Sequence, residues 1–338
     1  MVDHRRSVTI GKTGLTTTLL GLGTGPLGGM FQPVTDDQAH DTVTRAWDLG
    51  IRMFDTAPYY GYGSSEQRLG SVLRDRPRDE FVLATKVGKL LRPDVPPTAE
   101  QYISGENMFQ GAPELNVKLD YSRQGVLTSL EESFERLGID RVDIVHVHDP
   151  DEHYEEVLDG AYPALEQLRS EGVIKGISAG MNQAEMLERF ARNADFDCFL
   201  LAGRYSLLDQ GALDTGLFEL VEERDIGILL GGVYNSGILA RPEPGATFNY
   251  VPAPPELIDR AKQLQAVCDR YDVPLMAAAI QFPLGQPAVD VVLTGARSPA
   301  EIEENVRMLE HPVASDLWQE LRHEGLLHER ATVPSPEA

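Results

Sequence analysis

The hydrophobic pattern of this chain alternates between two periods. Short apolar runs of strand character fall at Leu19 to Gly23 and near residues 52–55, 81–86, 142–148, 174–178, 197–202, 227–231 and 289–294. Between them lie amphipathic stretches with apolar positions every three or four residues. The first runs from Asp36, read as its N-cap, to Leu49, with Gly50 as its stop. The rest fall near 64–75, 122–137, 155–171, 183–193, 213–224, 256–270 and 299–309. Eight strands alternating with eight helices predict an α/β fold with a parallel sheet covered by helices, and eight units suit closure into a (β/α)8 TIM barrel better than an open sheet.

Ahead of the first unit, residues 6–18 read as two short strands about the turn Gly11-Lys-Thr-Gly14, an N-terminal β-hairpin placed to plug the barrel floor. Two long irregular stretches, about 88–120 after the third strand and 232–255 after the seventh, leave from the mouth side and read as substrate and coenzyme loops. Pro252, Pro254 and Pro255 stiffen the second. No Pro/Ser-rich linker divides the chain, so residues 1–338 are expected to form a single barrel domain, with 310–338 as a C-terminal tail.

Three of the apolar runs end in chemistry. Ile51 to Phe54 leads into Asp55, with Tyr60 five residues on; Phe81 to Thr85 ends in Lys86; Val142 to Val147 ends in His148. A barrel keeps its active site where the strands end, at the C-terminal mouth. Taken singly, Asp55 reads as a helix cap, Lys86 as a surface amine and Tyr60 as a packed aromatic. Together an acid, a phenol, an amine and an imidazole at strand ends read as a catalytic set. His146, two residues before His148 on the same strand face, reads as a hydrogen-bonded barrel residue.

Gly23-Thr-Gly25-Pro-Leu-Gly28 satisfies the G-x-G-x-x-G pattern of dinucleotide-binding folds, but the context fails. In that motif the third glycine opens directly into a helix, whereas here Gly29 and Pro33 intervene before a helix start at Asp36. The glycines read instead as a tight first βα loop where backbone, at Gly23 and Thr24, passes close to a ligand.

Composition narrows the partners. Acidic side chains outnumber basic ones 53 to 30, a net charge of −23 that repels nucleic acid. Cys198 and Cys268 are the two cysteines, with neither metal-type spacing nor a disulfide framework, so no metal is expected and a reducing cytoplasm fits. No apolar stretch approaches a membrane span or a signal h-region, and the chain is expected to be soluble, cytoplasmic and free of membrane partners. One barrel needs no partner to close, so a monomer or weak homo-oligomer acting on a small-molecule substrate is expected.

The spacing Asp-x4-Tyr with a strand-ending lysine and histidine resembles the tetrad of the aldo-keto reductase family. The likeness spans nearly the whole chain: Phe54-Asp-Thr-Ala, Tyr60-Gly-x-Gly-x-Ser-Glu66, Ala84-Thr-Lys86, Arg136-Leu-Gly-Ile-Asp140, His148-Asp-Pro and Glu303-Glu-Asn305. It implies that Tyr60 transfers the proton, that Lys86 and Asp55 tune it, and that His148 orients the reacting oxygen toward a nicotinamide. A phenol with a pKa near ~10 is a poor base at neutral pH, so the cation is expected to favour the phenolate.

The resemblance also implies a coenzyme site, with departures. A Ser-Asn pair after the fifth strand usually holds the carboxamide; here Ser178 is followed by Ala179, which leaves Asn182 to supply the amide. Gly231 stands where a stacking aromatic is usual, and Tyr205 or Tyr234 is expected to provide the ring. Gly232 through Tyr234, Ser236, Gly237 and Leu239 would wrap the pyrophosphate with backbone N–H groups. After the eighth strand, Gly295, Ala296 and Glu301 replace the usual 2′-phosphate ligands, counting back from Glu304 and Asn305. A glutamate there repels a phosphate dianion, so NAD is favoured over NADP and oxidation over reduction, while Arg297 keeps dual use open. Leu201 to Gln210 and Leu230 to Gly237 resemble the aldose dehydrogenase branch, which implies oxidation of a cyclic hemiacetal, an aldose such as L-fucose or pyridoxal, to its lactone. Tyr59 and Phe109 are expected in the substrate pocket. The rival readings are an NADPH-dependent carbonyl reductase and a non-catalytic nucleotide-sensing module of the same fold.

Overall fold

The structure is a computed structural model that describes residues 1–103 and 105–335. Eight parallel strands close into a barrel: β1 (Leu20–Gly23), β2 (Met53–Asp55), β3 (Val82–Val87), β4 (Ile144–His148), β5 (Gly176–Met181), β6 (Cys198–Ala202), β7 (Gly227–Gly231) and β8 (Val289–Gly295). Strand order in space follows strand order in the chain, and β8 closes on β1 from Val292 beside Leu20 to Gly295 beside Gly23.

The period of two along each strand sorts its residues between two cores. Met53, Ala84, Ile144, Cys198, Leu229 and Val291 fill the barrel interior. Their neighbours Phe54, Leu83, Val145, Phe199, Ile228 and Val292 belong to the larger core shared with the helices. Moving up the same inward rows by two residues replaces oil with chemistry: Met53 leads to Asp55, Ala84 to Lys86, and Ile144 to His146 and then His148.

The N-terminal hairpin, Ser7–Thr9 paired with Thr16–Thr18, closes the floor. Ile10 joins the interior core, and Gly11 N donates to Asp290 Oδ2 at 2.8 Å. A Cβ on Gly11 would stand 2.3 Å from Gly227 N, so only glycine permits this approach.

Several helices differ from the sequence expectation for identifiable reasons. Helix Asp36–Asp48 is capped by Thr35, whose hydroxyl accepts from Gln38 N at 3.1 Å, while Asp36 falls inside the first turn at the positive end of the dipole. The segment near 155–171 contains a π-helical stretch, Val157–Ala161, directly before Pro163 in the first turn of Tyr162–Ser170, where a missing N–H disturbs the helical ladder. Near 213–224 a 3-10 turn, Gly211–Asp214, precedes the helix Leu217–Glu223. Helix Leu275–Gln281 was invisible to amphipathic periodicity because it is apolar nearly all round and almost wholly buried. The expected tail holds a further helix, Ser315–His323, which buries Leu317, Trp318 and Leu321 and packs against Pro255–Arg270.

Both long loops carry structure of their own. Residues 88–120 hold the ladder of Lys89–Arg92 with Asn116–Leu119 and a smaller one of Tyr102–Ile103 with Glu106–Asn107. The loop after β7 ends in a small hairpin, Thr247–Phe248 with Val251–Pro252, that carries Tyr250 into the mouth. Among the described residues no helix is long and apolar enough to cross a membrane.

Candidate active site

Asp55, Lys86 and His146 meet inside the barrel because three adjacent strands present them on the inward row. Lys86 and His146 are register partners on β3 and β4. Lys86 Nζ donates to both oxygens of Asp55 at 2.6 Å and to Thr56 O at 3.0 Å. His146 Nε2 lies 3.3 Å from Asp55 Oδ1, and its Nδ1 is 2.6 Å from Ser178 Oγ. Burial alone would raise the Asp55 carboxyl, but Lys86 and His146 outweigh it and hold Asp55 below the usual carboxylate range. Burial keeps His146 neutral despite Asp55.

Tyr60 reaches this group from the loop after β2, and the glycine motif explains how. Residues Gly25–Gly28 form a 3-10 turn that packs directly on the tyrosine loop. A Cβ on Gly28 would stand 2.6 Å from Gly61 N, one on Gly61 2.4 Å from Gly28 O, and Gly61 itself has φ +61°. The motif is therefore a close crossing of two loops, at the position where Tyr60 must be seated. Ser65 Oγ adds bonds to Thr24 O at 2.8 Å and Thr24 Oγ1 at 2.7 Å, and Thr24 Oγ1 donates to Asp55 O at 3.0 Å. Thr24 is thus fully buried and serves to tie the tyrosine loop to β2, with no face left for a coenzyme.

Lys86 Nζ lies 5.1 Å from the Tyr60 ring centroid. The expected phenolate is not favoured here. Burial first, and the Asp55 charge second, hold the phenol well above its ordinary pKa, because Asp55 already claims the lysine. His148 stands edge-on to Tyr60 with ring centroids 5.7 Å apart. Burial keeps it neutral, and its Nδ1 has no hydrogen-bond partner. Tyr60, Lys86, His148, Tyr59 and Phe109 line one cavity of about 280 Å³, with Tyr250, Asn182 and Met181. Tyr250 was not foreseen; the only hint was an aromatic at the tip of a proline-stiffened loop.

The inward ring at the mouth divides in two. Strands β2 to β4 contribute Asp55, Lys86 and His148. Strands β5 to β8 contribute Gly180, Ala202, Gly231 and Gly295, and β1 contributes Gly23. At Gly231 a Cβ would find nothing closer than 3.7 Å. Acid–base groups therefore face a wall of small residues, Gly180, Ala202 and Gly231, packed beside Leu200, with Pro26 closing over Gly295, and the slot this leaves suits a flat ring.

Several expected coenzyme contacts are displaced. Ser178 lies three residues below the end of β5, opposite His146 in register, because that strand continues to Met181. It is fully buried and bonded to His146. Asn182, at the true strand end, does reach the cavity, and its Nδ2 donates to Ala202 O at 2.7 Å. Tyr205 packs in the outer core between Phe218 and Phe282, at 4.9 and 5.2 Å, and cannot stack on a ring in the mouth. Tyr234 also packs on that core, and neither tyrosine lines the cavity. Ser236 fastens the mouth hairpin, its Oγ accepting from Tyr250 N at 3.1 Å, and Leu239 is fully buried. Gly232 and Gly237 keep positive φ, with open space at Gly237.

Beyond β8, Arg297 N donates to Glu301 Oε2 at 2.8 Å, and the two side chains pair at 3.3 Å. Glu304 pairs with Arg307, and Asn305 Nδ2 donates to Gly295 O at 3.1 Å, fixing the end of β8.

Comparison with known proteins agrees with this geometry. Residues 19–323 match the Aldo/keto reductase family. The chain is 42% identical over 317 residues to the D-threo-aldose 1-dehydrogenase of a Pseudomonas species, covering 93% of this chain and 96% of that one. It is 41% identical over 336 residues to the pyridoxal 4-dehydrogenase of Microbacterium luteolum, covering 94% and 97%. The fold superposes on the holo form of an aldo-keto reductase from Bacillus halodurans with a TM-score of 0.75 at 24% identity, over 98% of this chain and 99% of that one.

Proposed function

The chain belongs to the aldo/keto reductase family, and from that premise we propose that it oxidises a cyclic hemiacetal, an aldose such as L-fucose or ring-closed pyridoxal, to its lactone with a nicotinamide coenzyme. The observation that carries the reading is the divided mouth, with proton-handling groups on one side of the cavity and a wall of small residues, Gly180 and Ala202 with Gly231 beside them, on the other. The names of the two relatives, an aldose 1-dehydrogenase and a pyridoxal 4-dehydrogenase, support the substrate class.

In the slot, Gly180, Ala202 and Gly231 would underlie the nicotinamide, Asn182 would meet its carboxamide, and Gly232 to Gly237 would follow the pyrophosphate. When bound, the coenzyme accepts a hydride. The anomeric hydroxyl sits between Tyr60 and His148. As the C1–H bond breaks with its electron pair, the hydroxyl proton passes to the Tyr60 oxygen and the new carbonyl oxygen stays held by His148. Before it can take that proton the phenol must give up its own, a loss that the Lys86 cation, 5.1 Å from the ring centroid, favours and the Asp55 charge opposes. Glu301 neutralises Arg297 near the ribose 2′ position, which favours NAD over NADP.

The test is to incubate the protein with NAD+ or NADP+ and L-fucose, D-arabinose, L-galactose, L-glucose or pyridoxal, following reduced-nicotinamide absorbance. Growth with NAD+ is expected. No growth on any substrate, with NADPH consumed on simple aldehydes, would replace this reading with a carbonyl reductase.

A further inference from the structure

Above the tetrad lies a second charged group that hydride transfer does not use, a buried ammonium held by carboxylates that still reach solvent. Lys89 is 1% exposed, yet its Nζ donates to Glu100 Oε2 and Asp149 Oδ2, both at 2.8 Å. Gly88, at φ +104°, turns the chain between the two lysines, so Lys86 reaches down to Asp55 while Lys89 reaches across to Asp149. Asp149 follows His148 directly, in a left-handed conformation at φ +42°, and its Oδ2 lies 3.5 Å from His148 Nε2. Asp151, two residues further, has a buried Oδ1 with no partner.

Glu100, Asp149 and Asp151 line the catalytic cavity, whereas Lys89 stands outside its lining, with Nζ 4.6 Å from the Tyr59 ring centroid. A clamp on the 88–120 loop needs one carboxylate; here two pair with one ammonium and Asp151 stands near them as a third. Lys86 offers no compensation, since Asp55 already neutralises it. The cavity therefore has a wall with surplus negative charge, beside a buried His148 whose Nδ1 is also unpartnered. Lys89 holds the Asp149 carboxyl below its usual range against burial, while burial and the neighbouring Asp149 hold Asp151 above it.

Resting on the lactol-oxidation reading, we propose that Glu100, Asp149 and Asp151 form a substrate-selecting wall that takes uncharged, hydroxyl-bearing molecules and turns away phosphate esters and carboxylates of the same skeleton. An ionised carboxylate only accepts hydrogen bonds, so its natural partner is a hydroxyl that donates. A phosphate or second carboxylate brought beside the three carboxylates in this cavity meets like charge, only partly screened where they reach solvent. The rings of Tyr59 and Phe109, which meet edge-to-face at 5.3 Å, offer apolar surface for the C–H face of a sugar ring.

The experiment compares kcat/KM for matched pairs. With oxidised coenzyme these are D-galactose against D-galactose 6-phosphate and against D-galacturonate, all of which close to a pyranose; with reduced coenzyme, glyceraldehyde against glyceraldehyde 3-phosphate and against propanal. The last set reads the wall even if lactol oxidation fails, which separates the two proposals. A preference of about tenfold or more for each neutral partner is expected, and glyceraldehyde should exceed propanal. Asp151→Asn, which removes charge without touching Lys89, should narrow both gaps at least about threefold, acting on the KM of the anion. Equal use of the charged partners, or gaps unchanged in Asp151→Asn with an unchanged melting temperature, would overturn the assignment.

Discussion

With Tyr60 as the proposed proton-transfer group, its surroundings set the two directions of catalysis apart. Burial and Asp55 keep the phenol protonated through neutral pH, so the acid form needed for carbonyl reduction is abundant and the base form needed for oxidation is scarce. Oxidation should therefore accelerate as pH rises into the alkaline range, and reduction should slow; kcat profiles in both directions would check this. Tyr60→Phe should lower kcat by about 10²- to 10⁴-fold and flatten the oxidation profile. At the coenzyme end, Glu301→Ala should free Arg297 and raise the ratio of NADP+ to NAD+ kcat/KM, since Glu301 is its ion-pair partner in the structure. An unchanged ratio would place this pair away from the ribose. These residues differ in how well the sequence announced them. Asp55, Lys86 and His148 were legible because each ends an apolar run. Lys89 and Asp149 follow such runs at offsets of a few residues, and only the positive φ values at Gly88 and Asp149 turn them back over the cavity.

Among elements, the first βα loop and the tyrosine loop behave as one unit. Gly28→Ala would push a methyl group to 2.6 Å from Gly61 N and 2.7 Å from Tyr60 C, and neither backbone can retreat without moving the phenol. The expected result is a loss of about 1–3 kcal/mol in unfolding free energy together with a reduced kcat, measured by denaturant titration and initial rates. A variant that loses stability but keeps kcat would show that Tyr60 is seated independently. The G-x-G-x-x-G spacing could not announce this role, because the partner of Gly28 lies in another loop. Strand positions were nearly all legible, since a buried parallel strand is a continuous apolar run. The end of β5 was not: Gly180 ends its inward row without an apolar side chain, so the run reads as stopping at Ser178, which lies below the cavity, while Asn182, just past the strand's end, reaches it. Helix Leu275–Gln281 failed for the opposite reason, having no polar face to mark its period.

For the whole molecule, stability depends on how the hairpin seals the floor. Asp290 accepts from Gly11 N, yet burial pushes its carboxyl up to about 6. Because the folded value lies above the unfolded one, the ionised form is penalised: stability falls as pH rises through roughly 4 to 6 and stays lowered above that. Asp290→Asn retains an acceptor for Gly11 and should raise the melting temperature at pH 8 while changing it little near pH 4. An equal shift at both would assign the effect to something other than ionisation. The overall architecture was readable from alternation alone, but helix Ser315–His323 was not, because its value is tertiary: it covers Pro255–Arg270 and the core beneath.

The divided mouth also imposes handedness on the chemistry. With Tyr60 and His148 on one side of the cavity and the slot of small residues on the other, a carbonyl whose oxygen touches both donors presents one face at a time to the slot, and the unlike walls around its two substituents, the Tyr59 and Phe109 rings among them, select which. A prochiral ketone should accordingly yield a single enantiomer, and deuterium placed on one face of the dihydropyridine ring should be transferred completely while the opposite label is retained.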